Sequence, residues 1–308
     1  MKKTRKIRRL IASKPTLEGA GVHLKRVFGF GETAAFDPFL LLDDFRGDDP
    51  RYFIKGFPWH PHRGIETITY VLRGDVEHGD SMGNKGVIGS GDVQWMTAGS
   101  GIIHQEMPKG DQEGKMWGFQ LWANLPARQK MMDRRYRDVK SNQIPEVALK
   151  GGVKVKVICG EVEGTKGPVR DIVIDPEYLD FQMPPGTELV HPTKPGHTVF
   201  AFVFEGKAAF CGEKDPFSYE TEGENYFDIR RDPFVTNGHL VLFDDGEQIA
   251  VSTAADPVRF LLISGKPLRE PVAWYGPIVM NTQEELRTAF EEYSNNTFIK
   301  HGRKRGDE

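Results

Sequence analysis

The stretch FPWHPHRGIETITYVLRGD at residues 57–75 carries the pattern on which the fold prediction rests. Between Gly64 and Gly74 it is rich in the β-branched, aromatic and apolar side chains that are typical of a strand, and the glycines fit turns at both ends. Short apolar segments of this kind recur along the 308 residues, punctuated by 34 Gly and 20 Pro. Regularly spaced strands favour an all-β sandwich or barrel.

Ten segments are predicted to be strands, and two are predicted to be helical. The strands are residues 21–28, 67–72, 92–96, 102–105, 116–125, 153–159, 169–174, 198–204, 240–243 and 258–263. A helix is expected over residues 281–293, where Leu286, Ala289, Phe290 and Tyr293 form one apolar stripe. Thr282 with Glu285 resembles a capping box, and a second short helix is expected to start at Pro126.

A faint internal repeat indicates two domains. Residues 60–75 align without gaps on residues 192–207, so that Gly64 meets Gly196 and Gly74 meets Gly206. The chain length also fits about two domains of roughly 150 residues each. We therefore expect one domain over residues 1–135 and a second over residues 136–308.

Composition excludes several classes of protein. The net charge of −3 gives no reason to expect nucleic acid as the main partner, although the seven basic residues in the first 15 leave a nucleic-acid arm open beside a solvated leader. Two cysteines, Cys159 and Cys211, cannot form a disulfide framework and are expected to be buried and inert. No run approaches the roughly 20 apolar residues of a membrane span, and no secretory signal is visible. A reducing, cytoplasmic setting is predicted.

Two pairs of residues point to a metal site. His60 and His62 are two positions apart, so in an extended chain both imidazoles reach the same face. His104 and Glu106 form a second such pair, and on a facing strand they would complete a set of three imidazoles and one carboxylate. That set suits a mononuclear transition metal, and four protein ligands around an octahedral ion leave two positions open. The alternative is that these histidines are exposed or hydrogen-bonded in the core.

The same residues lie in longer motifs that resemble one protein family. The runs FPWHPHRGIETITYVLRGDVEHGDSMG and GDVQWMTAGSGIIHQEMP look like the signature of the pirin family of the cupin superfamily. The resemblance continues in LLLDDF at 40–45, GFQLWANLP at 118–126 and GPIVMNTQEEL at 276–286. It covers the chain from about residue 5 to about residue 295.

The resemblance implies an all-β fold with two stacked cupin β-barrels and a short C-terminal helical extension. It also implies one divalent metal in the N-terminal barrel, with iron expected first and Mn, Ni, Cu, Co or Zn as alternatives. The family's ligands correspond to His60, His62, His104 and Glu106. Glu66 stands where many cupins place a ligand glutamate, and we keep it as a residue that could support the ligands.

The second half of the chain is predicted to lack a metal site. In the repeat, His60 meets Pro192 and His62 meets Lys194, and the segment AADPVRFLLIS has no histidine. Packing is then the expected role of this barrel. His191, His197 and His239 are expected to be structural or exposed, and His78 is expected to be solvated. Asp43 and Asp44 are expected at a turn or a strand end. Met96 is expected to face the cavity, and four tryptophans are expected to line a pocket or fill the core: Trp59, Trp95, Trp117 and Trp122.

Three functions remain open at this point. The resemblance implies a dioxygenase of the quercetin 2,3-dioxygenase type that acts on flavonols or similar enolic aromatics, with dioxygen as co-substrate and Glu106 as the catalytic base. The second is a non-enzymatic, iron-binding redox sensor that binds transcription factors or metabolic enzymes. The third is a zinc-type isomerase or a metal hydrolase. The partners expected are a small planar aromatic molecule and, under the second hypothesis, a protein; neither nucleic acid nor a membrane is expected.

Overall fold

The structure, a computed structural model, consists mainly of β-strands. It describes residues 2–213, 215, 217–222 and 232–300. In these residues the first twelve strands are β1 (Ile7–Ala12), β2 (Lys14–Glu18), β3 (Val22–Phe28), β4 (Phe39–Asp44), β5 (Phe57–His62), β6 (Ile65–Arg73), β7 (Val76–Asp80), β8 (Lys85–Ile88), β9 (Val93–Thr97), β10 (Ile102–Pro108), β11 (Trp117–Asn124) and β12 (Arg135–Val139).

The second half of the chain adds fourteen strands within the same described residues. They are β13 (Glu146–Ala148), β14 (Lys154–Cys159), β15 (Glu161–Val162), β16 (Thr165–Lys166), β17 (Glu177–Met183), β18 (Glu188–Pro192), β19 (Thr198–Phe210), β20 (Glu220–Glu222), β21 (Val235–Thr236), β22 (His239–Phe243), β23 (Gln248–Ser252), β24 (Val258–Gly265), β25 (Ala273–Tyr275) and β26 (Ile278–Met280). The helical elements are α1 (Thr33–Phe36), α2 (Gln283–Ser294) and the short 3₁₀ turns Pro50–Tyr52, Ala127–Gln129, Ser141–Gln143 and Lys150–Gly152.

Two compact units divide the chain, and each takes a segment from the far end of the sequence. The first barrel contains Pro15–Ser141 and the segment that begins at Leu268. The second barrel contains Asn142–Pro267 and the segment that ends at Lys14. These units differ from the expected ranges 1–135 and 136–308 at both ends of the chain. The reason is pairing and packing: β1 pairs with β22, whereas β26 and α2 share a core with the partly buried Ile103 of β10.

The first barrel is built from two antiparallel sheets. Seven strands run in the order β12-β9-β6-β11-β4-β3-β2, and four run in the order β5-β10-β7-β8. The hairpin β25-β26 leads into α2, whose N-terminus has the predicted capping box of Thr282 and Glu285. Leu286 and Ala289 are buried, as the apolar stripe predicts.

The second barrel has one large sheet around a hydrocarbon core. Its main path is β13-β14-β17-β24-β19-β22-β1-β20, with β18, β21 and β23 branching from it. The core is a single cluster of buried apolar side chains that includes Phe181, Phe210 and Phe260. The rings of Phe181 and Phe260 stack with their centroids 5.2 Å apart. Aromatic burial of this extent stabilises the barrel through the hydrophobic effect.

Two predictions of local structure were wrong. Residues 169–174 do not form a strand; Val169 makes an isolated bridge to Cys159 and the chain then turns. Asp171 and Asp175 have φ of 57° and 47°, and this left-handed backbone ends an extended segment. Pro126 is not the first residue of a helix but precedes a single 3₁₀ turn, Ala127–Gln129. In the described part of the chain no helix has the length and apolar character needed to cross a bilayer.

Candidate metal centre

Strand pairing brings the two predicted residue pairs together. His60 and His62 lie on β5, and His104 and Glu106 lie on β10, its antiparallel neighbour. His104 is directly opposite His60 in the register, so both side chains point to the same face of the sheet. Because alternate residues of a strand share a face, His62 and Glu106 join them there.

The three imidazoles form one cluster. One ring nitrogen of each of His60, His62 and His104 lies within 4.8 Å of the corresponding atom of the other two. Among the described residues this is the only such group of three or more histidine, cysteine or acidic side chains. His62 and His104 are buried and His60 is half-buried, so the cluster is reached from the side of His60.

Backbone carbonyls fix the tautomers of two of these rings. His60 Nδ1 lies 2.8 Å from the carbonyl oxygen of Pro58, and His62 Nδ1 lies 3.1 Å from that of Pro277. A carbonyl can only accept, so both Nδ1 atoms carry the proton and donate. The Nε2 atoms are then left with lone pairs, which is the form in which histidine binds a metal.

The donor set fits a metal ion on two independent observations. His60 Nε2 and His62 Nε2 face each other at 3.0 Å, a distance at which two lone pairs repel unless a cation lies between them. Two nitrogens on adjacent corners of an octahedron, each about 2.1 Å from one ion, are about 3.0 Å apart. In addition, both ring nitrogens of His104 are buried and neither has a hydrogen-bond partner, which buried polar atoms seldom tolerate.

Burial also keeps these imidazoles in the ligand form. Desolvation lowers the pKa of His62 well below the usual histidine value, and the neighbouring His60 lowers it further. Desolvation lowers the pKa of His104 in the same way, with smaller contributions from His62, His60 and His78. A lowered pKa favours the neutral ring, since burial penalises the charged form.

Glu106 lies beside the cluster and is held by two neighbours. Its Oε2 is 3.9 Å from His104 Nε2. Thr69 Oγ1 lies 3.1 Å from its Oε1, and Gln120 Nε2 lies 3.3 Å from both carboxylate oxygens. Glu106 is outside the group of mutually close ligand atoms, so its role as a fourth ligand remains a prediction.

The neighbours of Glu106 belong to a row of polar side chains across the seven-stranded sheet. Each member is the direct cross-strand partner of the next, so all of them point to one face. We call this set the polar row; it consists of Arg26, Asp43, Gln120, Thr69, Gln94 and Asp138. Arg26 binds Asp43 through two hydrogen bonds of 2.9 and 2.8 Å, and Gln94 donates to Asp138 at 2.9 Å.

A cavity of about 740 Å³ opens beside His60, His62 and Glu106. Its walls are largely apolar, with Leu24, Leu41, Phe45, Phe57, Val76 and Pro108 among the lining residues. Phe30, Trp59 and Tyr275 line it and are also largely exposed, at 71%, 52% and 70%. They therefore form an aromatic rim, and a large apolar cavity with a few convergent polar groups is the usual form of a small-molecule site.

The segment that begins at Leu268 completes this site. Trp274, Tyr275, Gly276 and Pro277 line the cavity, and Pro277 supplies the carbonyl that orients His62. Sequence reasoning assigned this segment to the C-terminal domain and missed its contribution. The only signal for it was GPIVMNTQEEL, which the family resemblance included but which no spacing rule connects to the histidines.

Two buried basic side chains attach that segment to the histidine motif. Lys130 Nζ donates to the carbonyl oxygens of Gly64 and Val279, at 3.0 and 2.9 Å, and to Asn124 Oδ1. Arg63, which follows His62, donates to the carbonyl oxygen of Phe298 and forms a 2.8 Å ion pair with Glu292. The backbone of Arg63 also accepts from Val279 at 3.1 Å. The loop after the second histidine is thus held on both sides by the C-terminal segment.

Several residues do not lie where the sequence indicated. His78 was predicted to be solvated, but it is buried on β7 and lies 3.0 Å from Gln94. Glu66 accepts hydrogen bonds from Trp95 and Thr97. It is therefore bound in a separate network and does not contact the histidines.

The other candidates divide between cavity and core. Met96 does not line the cavity; it is fully buried in a hydrophobic cluster with Ile65 and Ile102, against which the cavity residue Trp122 packs. Trp59 and Trp122 line the cavity, whereas Trp95 is buried outside it. Trp117 carries Arg46 on its ring face at 3.9 Å.

The two aspartates are the last two residues of β4, at a strand end as predicted. Asp43 lines the cavity, and burial raises its pKa to about 6, against the opposing effect of Arg26. Asp44 pairs with Arg46 at 2.8 Å.

The histidines of the second barrel have structural surroundings. His191 is buried, 3.6 Å from Glu177 and edge-on to Phe181. His197 lies near Asp175, and its backbone carbonyl accepts from Arg5. His239 is half-buried and lies within 3.2 Å of Thr236. Their structural roles remain a prediction.

Two β-barrels, one of which carries a histidine cluster beside a cavity, define a bicupin with a candidate metal centre in its first barrel. The family model for Pirin matches residues 21–123, and that for the Pirin C-terminal cupin domain matches residues 178–299. The chain therefore belongs to the pirin family, as its motifs indicated.

Named relatives agree with this assignment. A pirin-like protein of Caulobacter vibrioides is 41% identical over 296 residues, which cover 96% of this chain and 99% of the relative. A Pseudomonas aeruginosa protein that is provisionally named a quercetin 2,3-dioxygenase is also 41% identical, over 95% of this chain and 98% of its own. The crystal structure of a quercetin 2,3-dioxygenase from Acinetobacter baumannii superposes with a TM-score of 0.82 at 28% identity, over 96% of this chain and 99% of that one.

Proposed function

We propose that this chain is a metal-dependent dioxygenase of the quercetin 2,3-dioxygenase type, which acts on flavonols or similar planar enolic aromatics. The observation that carries the proposal is the position of the histidine cluster: imidazole nitrogens in the ligand form lie beside a large cavity with apolar walls and an aromatic rim. The names of the relatives in Pseudomonas and Acinetobacter support the same reaction class.

His60, His62, His104 and Glu106 would hold one divalent transition metal, with iron as the first candidate. Imidazole with a single carboxylate suits several first-row metals, so Mn, Ni, Cu, Co and Zn remain alternatives. When bound, the metal supplies Lewis-acid and redox chemistry to the cavity.

Glu106 is the group that takes the proton of the substrate hydroxyl. Its carboxylate lies at the cavity wall, where a hydroxyl directed at the histidines comes within its reach. Gln120 and Thr69 fix its orientation by donating to it, so the accepting oxygen is positioned before the substrate arrives. A positioned base of this kind typically contributes about 10²–10⁴-fold to the rate.

The cavity walls orient the substrate and exclude water. Trp122 packs edge-on against His62, with ring centroids 5.1 Å apart, and also lines the cavity. A planar molecule between such walls meets aromatic faces on its rings and the histidines at its end. Holding both reactants in one orientation lowers the entropic part of the barrier.

The test combines metal analysis with oxygen uptake. Metal-loaded protein is expected to consume dioxygen with flavonols, and Glu106→Gln is expected to lower that rate by about 100-fold or more. Glu77→Gln, at an exposed position on the neighbouring strand β7, is the matched control and should keep the full rate. Full activity in Glu106→Gln would contradict the role of Glu106. Metal-loaded wild-type protein that takes up no dioxygen with any flavonol would contradict the dioxygenase itself.

A further inference from the structure

The part of the polar row remote from the histidines is not used by the proposed reaction. Arg26 and Asp43 line the cavity on β3 and β4, among walls that are otherwise mainly apolar. Glu18 lines it too, and its carboxylate is 2.9 Å from Arg26 Nη1. Pairing of Arg26 with both carboxylates offsets the cost of placing charge in this wall, so the cluster is a fixed polar patch among mainly apolar neighbours.

The charges in this cluster do not balance. One guanidinium faces two carboxylates, so Arg26, Asp43 and Glu18 together carry one negative charge when all are ionised. Arg26 directs two of its nitrogens at Asp43 and a third at Glu18. A carboxylate in the ligand would therefore be repelled here, whereas a neutral hydroxyl could donate.

Asp43 has acceptor capacity for such a hydroxyl. A carboxylate offers about four lone-pair sites, and the two hydrogen bonds from Arg26 use two of them. The side chain of Asp43 is 6% exposed, so its carboxylate is already largely desolvated before a ligand binds. A hydrogen bond to a charged, desolvated acceptor is stronger than one between neutral groups.

The distance from the histidines suits a substituent on a remote ring. Asp43 is the direct cross-strand partner of Gln120, and neighbouring strands are about 4.8 Å apart. Gln120 in turn lies 3.3 Å from the carboxylate of Glu106. The cluster therefore sits one strand further along the wall than the groups that contact Glu106.

We propose that Asp43, held in place by Arg26, is a hydroxyl-recognition subsite. The occupant of the cavity is then a planar polyphenol with a neutral phenolic hydroxyl on a ring remote from its metal-binding oxygen, and not an aromatic carboxylate. The proposal deepens the proposed function and rests on it for the end of the molecule that faces the histidines.

Binding in the absence of dioxygen tests the subsite without turnover. The probes are quercetin and 3-hydroxyflavone, which share the chelating oxygens and differ in the other hydroxyls. Trp59, Trp122 and Trp274 line the cavity, so quenching of tryptophan fluorescence in the metal-loaded protein reports the Kd. Wild-type protein should bind quercetin about 10-fold more tightly, the typical value of one hydrogen bond to a charged group.

Asp43→Asn should reduce this preference to less than about 3-fold while the Kd for 3-hydroxyflavone stays within about 2-fold. Asp44→Asn is the matched control: the adjacent carboxylate pairs with Arg46 and does not line the cavity, so the preference should be unchanged. Equal binding of the two probes by wild-type protein, or an unchanged preference in Asp43→Asn, would overturn the subsite.

A second variant covers the case in which Asp43→Asn does not fold. Glu18 is partly exposed, and Glu18→Gln removes the excess negative charge without altering Asp43. We expect 3-hydroxyflavone with a carboxylate on its pendant ring to bind wild-type protein at least about 10-fold more weakly than 3-hydroxyflavone itself, and Glu18→Gln to recover most of that loss. No recovery would contradict the charge argument. If neither probe bound at all, the proposed function would fail, whereas equal binding of the probes leaves it intact and removes only the subsite.

Discussion

The two barrels differ most clearly along one row of cross-strand partners in each. In the first barrel the polar row crosses five strand pairs with charged or hydrogen-bonding side chains at every position. In the second barrel a row of the same kind is wholly apolar. Its members are Val157, Leu179, Leu262, Ala201, Val241 and Leu10, all of which belong to the hydrocarbon core.

The sequence repeat aligns one residue of the polar row with one residue of the apolar row. Aligning residues 60–75 on residues 192–207 places Thr69 of the polar row on Ala201 of the apolar row. Both lie on a central strand, β6 in one barrel and β19 in the other. The scaffold is therefore shared, and the row is polar in the barrel that holds the cavity and apolar in the barrel that holds a packed core. Fold and function are separable here in the sense that function lies in a site carried by the fold.

The largest test of this contrast is removal of one histidine from each barrel. His104→Ala should lower the metal affinity by more than about 100-fold, since loss of groups that merely support a ligand already costs about 10–100-fold. Elemental analysis of the purified protein is the measurement. His197→Ala, in the second barrel, should leave the metal content unchanged. Loss of metal from His197→Ala would show that the second barrel contributes to the metal centre. It would contradict the claim that only the first barrel holds a metal site.

A polar residue placed in the apolar row tests the other half of the comparison. Leu262 is fully buried, so Leu262→Gln should lower the free energy of unfolding by about 2–4 kcal/mol, through lost packing and an amide without partners. Denaturant unfolding measures it. Leu262→Met keeps the volume and should cost less than about 1.5 kcal/mol. A stable Leu262→Gln protein would mean that this core accepts polar groups as the first barrel does.

The reciprocal change places an apolar residue in the polar row, and it is expected to lower the metal affinity rather than the free energy of unfolding. Gln120→Leu removes the donor to Glu106, and we expect the metal affinity to fall about 10-fold. The free energy of unfolding should change by less than about 1 kcal/mol, because the cavity leaves room for the new side chain. Competition with a chelator gives the affinity. An unchanged affinity together with a large loss of stability would reverse the roles assigned to the two rows.

The smallest effect concerns pH. Burial lowers the pKa of His62 and His104, so protons compete with the metal only in more acidic solution than for ordinary histidines. The metal affinity should therefore change little between about pH 8 and about pH 6.5, the ordinary histidine value, and weaken below it. Titration with a metal indicator at each pH measures this. A steep loss already near neutral pH would show that these imidazoles are not held in the neutral form.

Much of the site could be predicted from local spacing, because spacing determines which side chains share a strand face. The pairs His60/His62 and His104/Glu106 are of this kind, and so is the apolar stripe of α2. The pairing of β5 with β10 did not follow from spacing; the family resemblance indicated only that these four residues act together. The capping box of Thr282 and Glu285 is equally local, since both partners lie within one helical turn.

What could not be predicted depends on contacts between distant parts of the chain. His78 looked solvated because glycine and aspartate follow it, yet pairing of β7 with β10 carries it into the barrel. The pairing of β1 with β22 and the contact of Pro277 with His62 join residues more than 200 positions apart. No periodicity in the sequence marks such contacts. The polar row could not be predicted for the same reason, since its members come from six separate strands.

The contribution of Pro277 to His62 has a consequence for biosynthesis. Every candidate ligand has left the ribosome once residue 106 has emerged, but the carbonyl that sets the His62 tautomer follows only after the whole of the second barrel. A nascent chain that stops before residue 268 carries all four candidate ligands without the segment that orients His62. The arrangement that presents the Nε2 of His62 to the cluster is therefore complete only after the chain has been synthesised as far as Pro277.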